Sequence, residues 1–266
     1  MDADAVDRLN ARLARAAKHL DDFDREVRAF LEATEFELIS YEEPGSGDRL
    51  YFAGTSPTPP LDLGLIVGDY IHNLRSALDH AICELSLVTD PSSACTKTAF
   101  PVCSTEHCWR TALGRELALV SAQAQYQIHL IQPLNWRDRA PYGHRTHPMW
   151  ELNELWNLDK HRSLHLVHWA SSRYTFLEID GDDGVGITQY LDDGPIEPGL
   201  LIARVPAGKA TRVRVRLRPR VHFALDGPAR GKDVSVALRG YYATVESTLN
   251  RLKPFLAGGD SADARS

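Results

Sequence analysis

The stretch GDYIHNLRSALDH, residues 68–80, decides the fold because it carries an apolar stripe and a polar face at helical spacing. The apolar spacing extends in both directions and predicts one amphipathic helix from about Leu61 to Leu87. The predicted buried stripe comprises Tyr70, Leu74, Leu78, Ala81 and Leu85. The polar face opposite comprises Asp69, His72, Asn73, Ser76 and His80. Solvated helix faces favour Lys and Glu, so a face of His, Asn and Ser is typical of a buried network or of a cleft.

A long first helix is predicted upstream, where apolar residues alternate steps of three and four over roughly four heptads. These residues are Val6, Leu9, Leu13, Ala16, Leu20, Phe23, Val27 and Phe30. Such a seam can pair with another helix of the same chain or with a second copy, so a homo-oligomer, most simply a homodimer, is expected among the partners. The turn signal EEPGSGDR then predicts a hairpin near residues 36–53.

Downstream, the predicted secondary structure changes from helical to β-rich. Helical spacing recurs at 106–119, 122–130 and 149–170. After Ser172, short β-branched runs separated by turn signals predict roughly five or six antiparallel strands, and a last amphipathic helix follows.

The predicted fold class is therefore α+β, with a helical N-terminal two-thirds, a long first helix, an antiparallel β region and a C-terminal helix. The predicted organisation is a helical region at 1–170, a β-rich region with a closing helix at 171–257, and a disordered tail at 258–266.

The composition excludes several classes of function. A net charge of −6 argues against a general nucleic-acid coat, so a polyanion would need a focused basic site. The N-terminal sequence MDADAVDRLN lacks the basic and apolar regions of a signal peptide, and no apolar run approaches the roughly 18 residues that a membrane span needs. We expect no membrane partner and a cytoplasmic location.

The four cysteines form no C-x-x-C pair. Without a secretory context, reduced thiols rather than disulfides are expected at Cys83, Cys95, Cys103 and Cys108. A zinc site formed by Cys95, Cys103, His107 and Cys108 is an alternative, although it lacks the paired short spacings of the usual zinc sites.

Arg75 and His80 form an Arg-x4-His pattern that resembles the signature of the HEPN family of helical nucleases and nucleotide-binding proteins. The resemblance implies metal-independent RNA cleavage at a site made by two subunits. His80 would take the proton from a ribose 2′-OH, and Arg75 would neutralise the charge that develops on the phosphate. On a straight helix, however, residues five apart point about 140° apart. Asp79, four residues after Arg75, offers a local ion pair instead.

A second constellation lies in ELWNLDKHRSLHLVHWA, residues 154–170. Glu154, His161, His165 and His168 would lie within about 60° on a continuous helix, and His161 and His165 have the i,i+4 spacing of two metal-binding imidazoles. A His-ligated metalloenzyme is therefore an alternative. Because neither an HExxH pattern nor paired Glu-x-x-His motifs occur, no metal ligand and no cofactor are assigned.

Four segments in fixed order, GDYIHNLRSALDHA, FPV, IQPLNW and LNELWNLDKHRSLH, are similar to landmarks of a group of bacterial proteins of unknown function. The similarity spans about residues 61–168 and implies no activity. It implies that polar residues of two helices belong to one arrangement, with the helices side by side. These residues are His72, Asn73, Arg75, Asp79 and His80 on the first helix, and Asp159, Lys160, His161 and Arg162 on the second.

The segment TRVRVRLRPR, residues 211–220, predicts a strand with one apolar face and one row of arginines. The row is Arg212, Arg214, Arg216 and Arg218. It could bind phosphates, or it could protect an edge strand from unwanted pairing.

Three functions are compatible with these patterns. The first is a HEPN-like ribonuclease or RNA-binding protein, with His80 as base and Arg75 as phosphate clamp. Asp69, His72, Asn73, Asp79, Asp159, Lys160, His161 and Arg162 would support that site or bind its ligand. The second is a non-catalytic interaction or ligand-binding protein, in which the Asp, His and Arg groups form a buried network. The third is the His-ligated metalloenzyme.

Overall fold

The structure is a computed structural model of the chain. It describes residues 3–34, 37–55, 57–96, 98–136, 143–161, 164–170, 176–180, 188–190, 194–208, 212–216 and 219–256. The predicted tail at 258–266 and Arg162 lie outside the described residues, as does Arg218.

The α+β fold class is confirmed. The helices are α1 (Ala3–Ala33), α2 (Leu61–Thr89), α3 (Glu106–Gly114), α4 (Ala122–Leu130), α5 (Pro148–Asp159) and α6 (Val234–Leu256). Short 3-10 turns occupy Pro133–Trp136 and Gly143–Thr146. No helix in the described part of the chain is long and apolar enough to cross a membrane.

Helices α1, α2 and α6 form the centre of the core. α1 runs antiparallel to α2, because Arg8 contacts Glu84 while Arg12 contacts His80. The predicted α2 stripe is buried along its whole length. The apolar seam of α1 packs within the same chain, against α2 and α6. The Tyr70 hydroxyl donates to the main-chain oxygen of Leu238 at 2.6 Å, which joins α2 to α6.

The strands that the structure describes form three small antiparallel sheets. The first has the order β1 (Leu38–Glu42), β2 (Arg49–Ala53), β7 (Leu201–Val205) and β5 (Thr188–Gln189). The second has the order β6 (Gly194–Pro195), β3 (Leu166–Ala170) and β9 (Arg220–Phe223). The third pairs β4 (Phe176–Asp180) with β8 (Arg212–Arg216), the strand predicted from its arginines. Because the hairpin strand β2 pairs with β7, the first sheet contains strands from both sides of residue 170.

The predicted helix at 149–170 is wrong in its second half. α5 ends at Asp159, and the segment Leu166–Ala170 is strand β3. Its residues pair with β9, Leu166 opposite Phe223 and His168 opposite Val221. The helical spacing of this segment is a local preference, and pairing with a distant strand overrides it.

The prediction of reduced thiols is also wrong. The structure joins Cys83 to Cys95 and Cys103 to Cys108 in disulfides. The segment after α2 turns back on the helix and brings the Cα atoms of the first pair to 5.3 Å, while the start of α3 brings those of the second pair to 5.4 Å. Both separations suit a disulfide. The same bonds contradict the alternative zinc site, because its three sulfurs are already bonded.

Candidate functional site

The two polar helices meet, and two glycines of α2 allow the close approach. Gly64 and Gly68 lie one turn apart on the side of α2 that faces the end of α5. A Cβ added to Gly64 would lie 2.8 Å from the main-chain oxygen of Leu164. A Cβ added to Gly68 would lie 2.6 Å from Oδ1 of Asp159. Asp159 is thereby held against the polar face of α2.

Two residues of α2, one acidic and one basic, act on the carboxyl group of Asp159. Burial raises the pKa of the Asp159 carboxyl, the charge of Asp69 raises it further, and His72 opposes the shift. Asn73 is used locally, because its side-chain amide donates to the main-chain oxygen of Asp69 at 2.7 Å. Asp69 and His72 themselves are exposed.

Buried Arg75 and half-buried Asp79 form a pair that holds the backbone of Phe100. Arg75 is 3% exposed, and its Nη2 donates to Oδ1 of Asp79 at 3.1 Å and to the Phe100 carbonyl at 3.2 Å. The same Asp79 oxygen accepts from the Phe100 N–H at 2.9 Å. Both polar backbone groups of Phe100 are therefore satisfied by α2. Among the described residues, Nε and Nη1 of Arg75 have no hydrogen-bond partner.

The ring of Trp156 lies close to two cations. The Arg75 Cζ lies 5.0 Å from the centre of its ring, and Lys160 Nζ lies 2.9 Å from it. Burial lowers the pKa of Lys160, and the charge of Arg75 lowers it further. Cation–π attraction to the ring acts in the opposite direction, because it favours the charged form of Lys160. Sequence reasoning missed Trp156, because an aromatic residue at helical spacing usually signals core; its i,i+4 spacing to Lys160 was the available signal.

His80 faces α1 instead. Nη2 of Arg12 lies 2.6 Å from Nε2 of His80. Because a guanidinium only donates, this nitrogen accepts and carries no proton. Burial lowers the pKa of His80, and the charge of Arg12 lowers it further. Arg75 and His80 thus have different partners: Arg75 contacts Asp79, Phe100 and Trp156, whereas His80 contacts α1.

The four landmark segments form one connected arrangement. The segment FPVC, residues 100–103, is held by α2 at Phe100 and by the QPLNW segment at Cys103. There, the Cys103 N–H donates to Oε1 of Gln132 at 2.8 Å, and the Leu134 N–H donates to the Cys103 carbonyl at 2.9 Å. The side chain of His161 is exposed beyond the end of α5, and Arg162 lies outside the described residues.

The histidines of the second constellation do not share a helix face. His161 and His165 lie beyond the end of α5, and His168 is buried on β3 against the ring of Phe30. In the part of the chain that the structure describes, no three His, Cys, Asp or Glu side chains are grouped to hold a metal ion.

Comparison of the chain with protein-family models, with curated proteins and with solved structures found no match in any of the three. The fold and the site define its class as an α+β protein in which a buried polar network joins two helices and a loop.

Proposed function

We propose that this chain is a non-catalytic ligand-binding protein, in which the Arg75 network is a structural lock between α2, α5 and the Phe100 segment. One observation carries the proposal: the Arg75 guanidinium is buried and already engaged by Asp79, the Phe100 carbonyl and the Trp156 ring. A phosphate clamp needs a guanidinium that its substrate can reach. A buried charge needs partners within the fold, and Asp79 and the Phe100 carbonyl supply them to Nη2, whereas Nε and Nη1 have none among the described residues.

The test compares stability with RNA cleavage in one variant. Arg75→Met keeps much of the side-chain volume but removes the charge. We expect a changed free energy of unfolding in urea and no RNA cleavage by either the wild type or the variant. Arg110→Met is the matched control, because Arg110 is exposed on α3. Wild-type cleavage of RNA that Arg75→Met abolishes without a change in fold would contradict the proposal.

A ribonuclease of the HEPN type is the second candidate, and the contact between Arg12 and His80 favours it. If Arg12 turns from Nε2 of His80 to the substrate phosphate, the freed lone pair of the neutral imidazole can take the proton of a ribose hydroxyl while Arg12 neutralises the charge on the phosphate. RNA would be the substrate. In this arrangement Arg12, rather than Arg75, is the cation at the base.

The assay for this candidate is RNA cleavage in buffer without divalent cations. His80→Ala and Arg12→Ala should each abolish cleavage while the far-ultraviolet circular dichroism stays that of the wild type. Cleavage that survives His80→Ala would exclude this residue as the base. No contact in the described part of the chain favours the His-ligated metalloenzyme.

The homo-oligomer and the cytoplasmic location stay predictions. Light scattering of the purified chain measures the first. For the second, the two disulfides argue in the opposite direction, because disulfides persist mainly in oxidising compartments.

A further inference from the structure

A cavity of about 560 Å³ lies where the start of α5 meets the loop after β9. Its lining consists of Arg145, Thr146, Trp150, Glu151, Gly227, Pro228, Arg230 and Lys232. This volume is in the range of sites for small organic ligands. The cavity is separate from the Arg75 network, with which it shares no lining residue.

One ion pair closes the inner wall of the cavity. Glu151 is 2% exposed and accepts from Lys232 Nζ at 2.5 Å and from the Tyr241 hydroxyl at 3.0 Å. Burial raises the pKa of Glu151, and the bonds from Lys232 and Tyr241 oppose the shift. The charge of Lys232 is therefore already compensated.

The two arginines of the lining are not compensated. Arg145 and Arg230 are both exposed, and neither forms a hydrogen bond or an ion pair with any residue that the structure describes. Two arginines that have no partner among the described residues thus line one cavity of a chain whose net charge is −6. Such a pair offers planar, bidentate donors to an anion.

Trp150 adds a flat aromatic wall to the same cavity. The ring of His144 packs edge-on against it, with the ring centres 5.8 Å apart and the planes at 72°. The indole is therefore braced from outside the cavity. Thr146 is occupied, since its hydroxyl donates to the Gly143 carbonyl and accepts from the Trp136 indole N–H.

We propose that this cavity binds a small organic phosphate with a planar ring, the phosphate on Arg145 and Arg230 and the ring against Trp150. The inference rests on the proposed function, because it names the ligand class of a binding protein. A phosphate ester supplies the charge that two guanidinium groups lack, and its ring supplies the apolar surface that Trp150 can cover.

The test is isothermal titration of the full chain with adenosine 5′-monophosphate as the probe. Adenosine and inorganic phosphate are titrated separately, since each carries half of the chemistry. Arg145→Gln and Arg230→Gln are the variants, and Arg110→Gln on α3 is the matched control. We expect roughly tenfold or greater weakening of nucleotide affinity in each variant, because each loses a charge-assisted contact. The control should bind as the wild type does.

Three results would overturn the inference. The first is no saturable nucleotide binding. The second is binding that both glutamine variants leave unchanged. The third is inorganic phosphate binding as tightly as the nucleotide, which would remove the role of Trp150. These results are independent of the RNA cleavage assay, so failure of the ligand class and failure of the proposed function are distinguishable.

Discussion

The carboxylate of Asp159 lies directly against Gly68, with no room for a side chain between α5 and α2. This contact places the polar end of α5 on the polar face of α2. It depends on a missing Cβ at one position rather than on an attractive pair. The polar network therefore has a steric requirement that can be tested apart from its charges.

Gly68→Ala should destabilise the protein by about 1–2 kcal/mol, because the new methyl group overlaps Asp159. In an Asp159→Ala background the same change should stabilise by up to about 1 kcal/mol, since alanine is the better helix former. Urea unfolding of the four proteins completes the double-mutant cycle. Gly240→Ala in α6 is the control, because its added Cβ meets no atom within 4 Å. A Gly68→Ala effect of equal size and sign in both backgrounds would refute the steric contact.

Asp79→Ala should destabilise by about 3–5 kcal/mol, because it leaves the buried Arg75 without its counter-ion and the Phe100 N–H without its acceptor. Asp79→Asn keeps an acceptor and should cost less. Asp21→Ala provides the control, since Asp21 is exposed on α1, and should change stability by under about 0.5 kcal/mol. Urea unfolding measures all three. If Asp79→Ala matched the control, Arg75 would not be locked by this pair.

The buried imidazole of His147 should make the folded protein less stable in acid. Burial lowers its pKa to about 4, and its Nδ1 accepts from the Met149 N–H at the start of α5. Between pH 6.5 and 4, His147 therefore binds a proton in the unfolded chain but not in the folded chain, so the free energy of unfolding falls as the pH drops. The expected loss from pH 7 to 5 is about 2 kcal/mol.

The matched variant for this prediction is His147→Asn, which keeps a capping acceptor but does not titrate. Urea unfolding at pH 7 and pH 5 should show a smaller acid loss in the variant than in the wild type. His80 and His168 are present in both proteins, so their contributions cancel. Equal acid losses in the two proteins would assign the effect to other groups.

Lys232→Met should destabilise the protein at pH 7 by about 2 kcal/mol, because Glu151 then keeps a buried charge with only Tyr241 as its partner. The pKa of Glu151 is already raised by burial, so the variant can relieve the cost by taking up a proton. The difference in stability between variant and wild type should shrink between pH 7 and pH 5. Glu151 takes up a proton more readily in the variant, because Lys232 in the wild type favours its charged form. A deficit that is constant with pH would show that packing, not charge, is lost.

The sequence predicted the parts of the fold that depend on local periodicity. The stripe on α2 and the seam on α1 lie in the core, because 3.6-residue spacing is itself the condition for burying one helix face. The contact between α2 and α5 was predicted from the landmark segments. The role of the two glycines that allow this contact was not predicted.

Features that depend on distant partners were missed. Strand β3 forms because β9 pairs with it, and the disulfide of Cys83 forms because the following loop turns back on α2. Likewise, Arg12 approaches His80 only once α1 packs antiparallel to α2. No spacing rule within one segment contains that information.

The hydroxyl of Tyr70 is bonded to Leu238, a residue 168 positions later in the chain. During synthesis, α1 and α2 leave the ribosome long before α6 exists. Until α6 is translated, it cannot bury the apolar faces of α1 and α2. A nascent chain that ends before α6 therefore exposes a large apolar surface to which a chaperone can bind. The helix that closes this core is therefore translated after all the other helices that the structure describes.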